Sequence, residues 1–368
     1  MGLVDHINDT TKNCGVTIMP EPFAYKMQLI DLADAVGMAL AHDITEIRPG
    51  EFKGAAFKKG QIISQQDLDH LARLGKRHLY VVEINDSAMH EDEAALKLAE
   101  ALSGPGITFK PKPSEGKINL FAAHDGLLKV NVAALTDFNL IDGIMCASIH
   151  NNTLVKKGRI VAGTKAIPLV IERDLVTKAV EVARDCGGVF TVKELSRPRT
   201  GLVITGQEVY EGLIKDRFVD ALTPKLKALN CEIMKITFTP DNADFIANTI
   251  RSYLDEGVEL IIATGGTSVD PDDVTRAGIR KAGAEDLIFG SSVMPGAMLL
   301  LASINGIQVI GVPASAIFHG TTVFDLLLPR ILAGEKISPR DLAQLAHGGL
   351  CLQCDKCRYP ACPFGKSA

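Results

Sequence analysis

The 368-residue chain lacks an excess of charge of either sign. Its 39 Lys and Arg residues stand against 44 Asp and Glu, a formal net charge of −5 with a sequence pI near 6.0. Nothing in that balance would draw the protein to nucleic acid or an anionic membrane, so small molecules are the expected partners. The chain also lacks a long unbroken apolar run. Its most hydrophobic segment, residues 297–318, is interrupted by Asn305, Gly306, Gln308 and Pro313, whereas a membrane-spanning helix needs about 20 continuous apolar residues. The opening MGLVDHINDT has neither the basic start nor the apolar centre of a secretion signal. These absences predict a soluble, cytoplasmic protein with no membrane or nucleic-acid partner. What remains is an ordinary globular composition, 46% hydrophobic and 23% charged, in a chain long enough for two or three domains.

Residues 1–195 give mixed signals, read as an α+β or β-rich region that is divisible into two subdomains. Apolar spacing predicts helices over 27–42, 65–75 and 91–102, the last ended by Ser103-Gly104-Pro105-Gly106. Strands are predicted over 78–84, 127–132, 144–149, 160–161 and 167–171. After Arg197-Pro198-Arg199-Thr200-Gly201 a regular alternation begins. Strands over 202–205, 232–238, 259–264 and 308–312 are separated by helices over 215–229, 242–256 and from about 272, with another from about 318. Alternation of this kind specifies an α/β fold, a mostly parallel sheet with helices on both faces, assigned here to residues 196–340. Pro224 falls inside the first of these helices and should kink it or mark a restart.

Ligands of open parallel sheets bind beyond the carboxyl ends of the strands. At one such end the apolar run Leu260, Ile261, Ile262, Ala263 meets Gly265 and Gly266, whose amide N–H groups can face a phosphate unobstructed. Asp270, Asp272 and Asp273 follow. They would repel a bare phosphate but suit a Mg2+ ion bridging carboxylate and phosphate oxygens. Equally, Asp270-Pro271 suits a helix N-cap and first turn, with Asp272 and Asp273 favouring the helix dipole. Two neighbouring strand ends carry Glu208 in Thr205-Gly206-Gln207-Glu208 and Asp241 in Pro240-Asp241-Asn242. Ser315, in the turn after the strand over 308–312, either binds an oxyanion or caps the helix that follows, and His319 lies just beyond it.

The order and spacing of these loops resemble the MoeA/MogA-type molybdopterin-binding domain, shared with gephyrin and CinA. That family has a TG-[DN]-E-like turn, a P-D-[DN] turn and a TGGT turn followed by a carboxylate. Here they read Thr205 to Glu208, Pro240-Asp241-Asn242, and Thr264-Gly265-Gly266-Thr267-Ser268 with Asp273-Val274-Thr275. Met294-Pro295-Gly296 and Gly311-Val312-Pro313 echo its later turns. The resemblance implies a three-layer domain that binds molybdopterin, in its adenylylated form, with Mg2+ and molybdate. Asp241, Asp273 and Glu208 match its catalytic carboxylates, while Thr205, Gly206, Gly265, Gly266, Thr267, Ser268 and Ser315 line the pterin and phosphate path.

A weaker likeness to the MoeA branch runs upstream, through residues 35–44 and 57–75. That branch implies Mg2+-dependent molybdate insertion in molybdenum cofactor biosynthesis by a homodimer whose site is completed across subunits. However, its S-x-M-D-G-Y-A segment is replaced by residues 52–57, and Val293, Met294, Ala297 and Met298 stand where it carries lysines. The alternatives are a carrier or sensor that delivers finished cofactor to a molybdoenzyme, and a CinA-like nucleotide pyrophosphate hydrolase.

Four of the eight cysteines crowd into the tail assigned to residues 341–368, as Cys351-x2-Cys354-x2-Cys357-x4-Cys362-Pro363. The spacing is one residue longer than a ferredoxin run of C-x2-C-x2-C-x3-C-P. Four thiolates also suit tetrahedral zinc. The tail is therefore expected to hold zinc or an iron–sulfur cluster, with redox-active or structural thiols as the alternative.

Overall fold

The computed structural model describes residues 27–48, 52–82, 87–265 and 274–366. Three regions with separate hydrophobic cores succeed one another along the chain.

In the first, strand His78–Val82 lies between Met27–Asp31 and Ala39–Leu40, and Ile44–Arg48 forms a hairpin with Phe52–Phe57. The helix expected over 27–42 is not formed. Both of its halves pair with the same strand, so ladder hydrogen bonds and burial of Ala39 and Leu40 outweigh local helical spacing. Gly37, at φ +86°, makes the intervening turn. The expected helix over 65–75 is present as Asp67–Arg73.

The second region packs a four-stranded and a three-stranded sheet with helices Glu91–Leu102, Val132–Asn139 and Arg173–Asp185 around one core. Helix Glu91–Leu102 buries Ala94, Ala95, Leu98, Ala99, Ala101 and Leu102 on one side, the stripe its sequence displays. Val132–Asn139 was not expected. It starts where Asn131 accepts a hydrogen bond from the Ala134 amide at 3.1 Å, a capping arrangement hidden at the end of an apolar strand pattern.

The third region is a six-stranded sheet in the order Glu232–Thr239, Arg199–Thr205, Leu260–Thr264, Ile307–Val312, Leu300–Ile304, Glu285–Phe289. The first four strands are parallel. The hydrophobic run over 297–318 folds back on itself as a hairpin, with Asn305 and Gly306 both at positive φ in the two-residue turn. Leu202, Ile204, Leu260, Ile262, Ile310 and Val312 face one layer, containing helices Phe218–Ala228 and Val323–Leu332. Val203, Ile261, Ala263 and Val309 face the other, with Ala243–Asp255 and Thr275–Lys281. Alternate residues thus enter opposite layers, which explains why these strands read as continuous apolar runs.

Helix Phe218–Ala228 passes through Pro224 as one element and begins later than expected, because the Asp216 carboxylate accepts from the Phe218 and Val219 amides at 3.0 and 2.8 Å. The second and third regions meet where the Ser196 amide and hydroxyl both donate to the Leu332 carbonyl, at 2.8 and 3.0 Å. No described helix is long and apolar enough to cross a membrane.

Tyr253 joins helix to sheet. It is 1% exposed, its ring lies where a side chain at Gly201 would be, and its hydroxyl hydrogen-bonds to the Leu202 carbonyl at 3.0 Å and the Thr237 hydroxyl at 2.7 Å. Tyr253→Phe removes both bonds and should cost about 1–2 kcal/mol. A urea denaturation midpoint equal to wild type would show that these bonds contribute nothing net.

Candidate functional site

Adjacent parallel strands Glu232–Thr239, Arg199–Thr205 and Leu260–Thr264 each end on a threonine, and all three threonines are buried. Register places Thr205 beside Thr239 and Ile204 beside Thr264. The Thr205 hydroxyl donates to the Thr264 carbonyl at 2.6 Å and lies 2.9 Å from the hydroxyl of Thr275, at the start of the next helix. The first and third loops are thereby tied together at their roots. The first and second are tied as well, because the Gly206 amide donates to the Thr239 carbonyl at 3.2 Å and the Gln207 amide to Asp241 Oδ2 at 2.8 Å.

Asp241 is half-buried and spends one carboxylate oxygen, Oδ2, on the Gln207 amide; Oδ1 has no partner among the described residues. Its neighbour Asn242 caps helix Ala243–Asp255 by accepting from the Asp244 and Phe245 amides, both at 3.0 Å. Capping in this loop therefore falls to Asn242 and leaves Asp241 for the edge. Glu208 is exposed on the short helix Gln207–Tyr210. Gly206 and Gly265 have φ of +145° and +75°, and a Cβ on Gly265 would stand 2.3 Å from the Thr205 carbonyl oxygen. Only glycine lets the third loop leave its strand this close to the first.

Thr205, Gly206, Glu208, Asp241 and Gly265 thus gather at one edge of the sheet. Gly266, Thr267, Ser268 and Asp273 lie outside the described residues, as do Asp270 and Asp272. Ser315 stands after the fourth parallel strand. The capping alternative for it does not hold: Ala314 occupies the N-cap of helix Ser315–Phe318, which receives no side-chain cap, and the buried Ser315 hydroxyl has no partner among the described residues. The same is true of the Thr239 and Thr264 hydroxyls. Buried hydroxyls ordinarily find a polar partner, and among the described residues these three have none.

Thr239, Thr264 and Thr275 were not singled out from the sequence as site residues. The available signal was the recurrence of threonine as the last residue of three successive apolar strands.

The cysteine tail packs against the segment that follows Ser315. Cys351, Cys354, Cys357 and Cys362 all line one cavity of about 340 Å3, together with His319 and Thr321. Among the described residues no three His, Cys, Asp or Glu side chains stand close enough as placed to hold a metal ion, and the described cysteines form no disulfide.

The threonine-rooted loops lie at the carboxyl edge of a mostly parallel α/β sheet, the place where open sheets of this class bind their ligands. A family model described as "Probable molybdopterin binding domain" matches residues 201–333. Residues 201–333 are thus similar to the molybdopterin-binding domains that this model describes. A second model, a "Domain of unknown function", matches residues 29–83.

Among curated proteins, the chain is 24% identical to a molybdopterin molybdenumtransferase of Synechococcus elongatus, over 45% of this chain and 44% of that protein. It is 27% identical to a molybdenum cofactor biosynthesis bifunctional protein of Chlorobaculum tepidum, over 28% and 33%. A CinA-like protein of Thermotoga neapolitana is 37% identical over 23% and 20%. The chain thus spans less than half the length of these relatives. Among solved structures, the molybdopterin biosynthesis enzyme MoaB of Thermus thermophilus is 18% identical with a TM-score of 0.33, covering 38% of this chain and 98% of that one.

The tie between the loops is testable by one pair of substitutions. Gly212 has φ +74° with nothing within 4 Å of an added Cβ, whereas Gly265 has φ +75° with the Thr205 carbonyl in the way. Gly212→Ala should cost about 1 kcal/mol for backbone conformation. Gly265→Ala should cost roughly 1–3 kcal/mol more for the overlap. Equal denaturation midpoints for the two variants would show that the close approach is not maintained in solution.

Proposed function

We propose that the protein acts in molybdenum cofactor biosynthesis, binding adenylylated molybdopterin at the threonine-rooted edge and inserting molybdate in a Mg2+-dependent step. The observation that carries this reading is the convergence of Glu208, Asp241 and the Gly206 and Gly265 turns at one sheet edge, within the stretch similar to molybdopterin-binding domains. Backbone amides of the Gly265 turn orient the pyrophosphate of the substrate, since those of Gly206 and Gln207 are already bonded to Thr239 and Asp241, and the Thr239, Thr264 and Ser315 hydroxyls, unpartnered among the described residues, supply donors for phosphate or molybdate oxygens.

The Oδ1 oxygen of Asp241 fits a Mg2+ ligand, with Asp273 as its companion carboxylate from the third loop. When bound, Mg2+ would neutralise the phosphate charge that these carboxylates would otherwise repel. The same reading includes a homodimer. It is supported by the outer strand Glu232–Thr239, on which Met234, Ile236 and Phe238 are exposed at an unpaired sheet edge.

One observation favours the carrier reading instead. Met294 uses both its amide and its carbonyl to hold the tail, through Gly349 and Cys351, so the backbone of the turn where the MoeA branch carries lysines is bonded here to the cysteine segment. The assay that separates the readings is AMP release from adenylylated molybdopterin supplied with molybdate and Mg2+. An enzyme releases AMP, a carrier binds without release, and a CinA-like hydrolase releases AMP without molybdate.

Asp241→Asn and Asp273→Asn should each lower molybdate-dependent AMP release by at least about 10²-fold, the effect of losing several kcal/mol of transition-state charge stabilisation. The side-chain carbonyl introduced by Asp241→Asn would still accept from the Gln207 amide, so the melting temperature should hold. Full turnover by either variant contradicts the assignment.

A further inference from the structure

Two loops at the carboxyl edge are gripped by the cysteine tail. One is the Met294-Pro295-Gly296 turn. Its Met294 amide donates to the Gly349 carbonyl and its Met294 carbonyl accepts from the Cys351 amide, both at 2.8 Å, so the first cysteine enters the cavity directly from this pair of bonds. The other is the turn over 319–321, where the Thr321 hydroxyl lies 3.3 Å from Cys357 Sγ and a Cβ on Gly320 would stand 3.3 Å from Cys357 Cβ. The far side of this turn is fixed by Lys225, whose Nζ donates to the Gly320 carbonyl at 2.9 Å and to both oxygens of Asp325 at 2.7 Å. The two loops also touch each other, through the Val323 amide and the Pro295 carbonyl at 3.2 Å.

Between its anchors at Cys351 and Phe364 the tail is irregular. Residues 351–366 contain no helix or strand; Phe364 is buried, but Leu352 is 68% exposed and Cys354 and Cys357 are exposed. Gln353, between the first two cysteines, has φ +50°, an uncommon conformation for a residue other than glycine that turns the Cys351 and Cys354 side chains into the same space. A dozen irregular residues with four thiols facing one cavity are characteristic of a segment that folds around a metal. Cys354 and Cys357 are exposed, so their side chains can turn toward Cys351 and Cys362 across the cavity that all four line.

We propose that Cys351, Cys354, Cys357 and Cys362 bind one thiophilic centre, zinc or an iron–sulfur cluster, and that this centre locks the 294–296 and 319–321 loops at the carboxyl edge. The role follows from position: the centre adds a second link, through Cys351 and Cys357, between two loops that otherwise meet at the Val323–Pro295 bond. Four thiolates carry more negative charge than either centre neutralises, so it does not replace a cationic side chain for molybdate. Its contribution is to hold the wall of the edge in place, whichever ligand that edge binds.

The test uses the full chain purified anaerobically with zinc and iron supplied, and reads metal content together with amide hydrogen exchange. The expected result is roughly one zinc, or roughly four irons with matching sulfide and visible absorption, per chain. Cys354→Ser should lose that metal, while Cys186→Ser, an exposed thiol outside the cavity, should retain it. Removing the metal with a chelator should speed exchange at the Cys351 and Met294 amides by at least about tenfold and leave the central strand Leu260–Thr264 unchanged. Absence of stoichiometric metal, or its full retention by Cys354→Ser, overturns the four-thiolate centre. Unchanged exchange at Met294 and Cys351 after metal loss overturns its locking role.

Discussion

The close packing of the first and third strand ends, where Gly265 passes within reach of the Thr205 carbonyl, is the constraint on which the rest of the edge depends. The sheet is buried on both faces, so its strands cannot shift relative to one another without exposing one layer or the other. Their ends are therefore fixed, and the loops inherit that rigidity. Thr205 transmits it by donating to the Thr264 carbonyl, 59 residues away in sequence, and Asp241 extends it by binding the Gln207 amide. Three loops distant in sequence are held as one surface by backbone register and a few short hydrogen bonds. That is the preorganisation an anionic ligand requires, because donors already in place need no rearrangement when charge arrives.

Much of the third region could be read from sequence because its signals are local and mutually consistent. Short apolar runs ending at threonine and glycine, alternating with helical patterns, specify buried parallel strands whichever way they later pair. Helix Glu91–Leu102 was legible for the same reason, with a stripe of buried Ala and Leu and a glycine-proline stop. Residues 27–42 misled because their apolar spacing suits a helix, while the decisive partner, His78–Val82, lies far along the chain. Helix Phe218–Ala228 shows the reverse case: a proline that locally signals a break is absorbed when both flanking turns are buried against the sheet.

At the site, the motif order placed Glu208, Asp241 and the glycine turns on one edge, and the structure brings their described members together there. The bonds that join them were not legible. A threonine hydroxyl donating across strands and a carboxylate capping a neighbouring loop depend on register, which no local pattern encodes. The cysteine spacing gave a chemistry without a location. Only the pairing of Met294 with Gly349 and Cys351 shows that the tail is built into the wall of the edge. A segment that reads as an appendage in the sequence is thus bonded to the 294–296 turn at the carboxyl edge of the sheet.

If the Thr205, Thr239 and Thr264 strand ends form the binding edge for the pterin's phosphates, a crystal structure with adenylylated molybdopterin bound tests it most directly. Pyrophosphate density is expected against the Gly206 and Gly265 turns, beside Asp241. Ordered ligand density elsewhere, in the cysteine cavity or on the second region, with this edge empty, would contradict it.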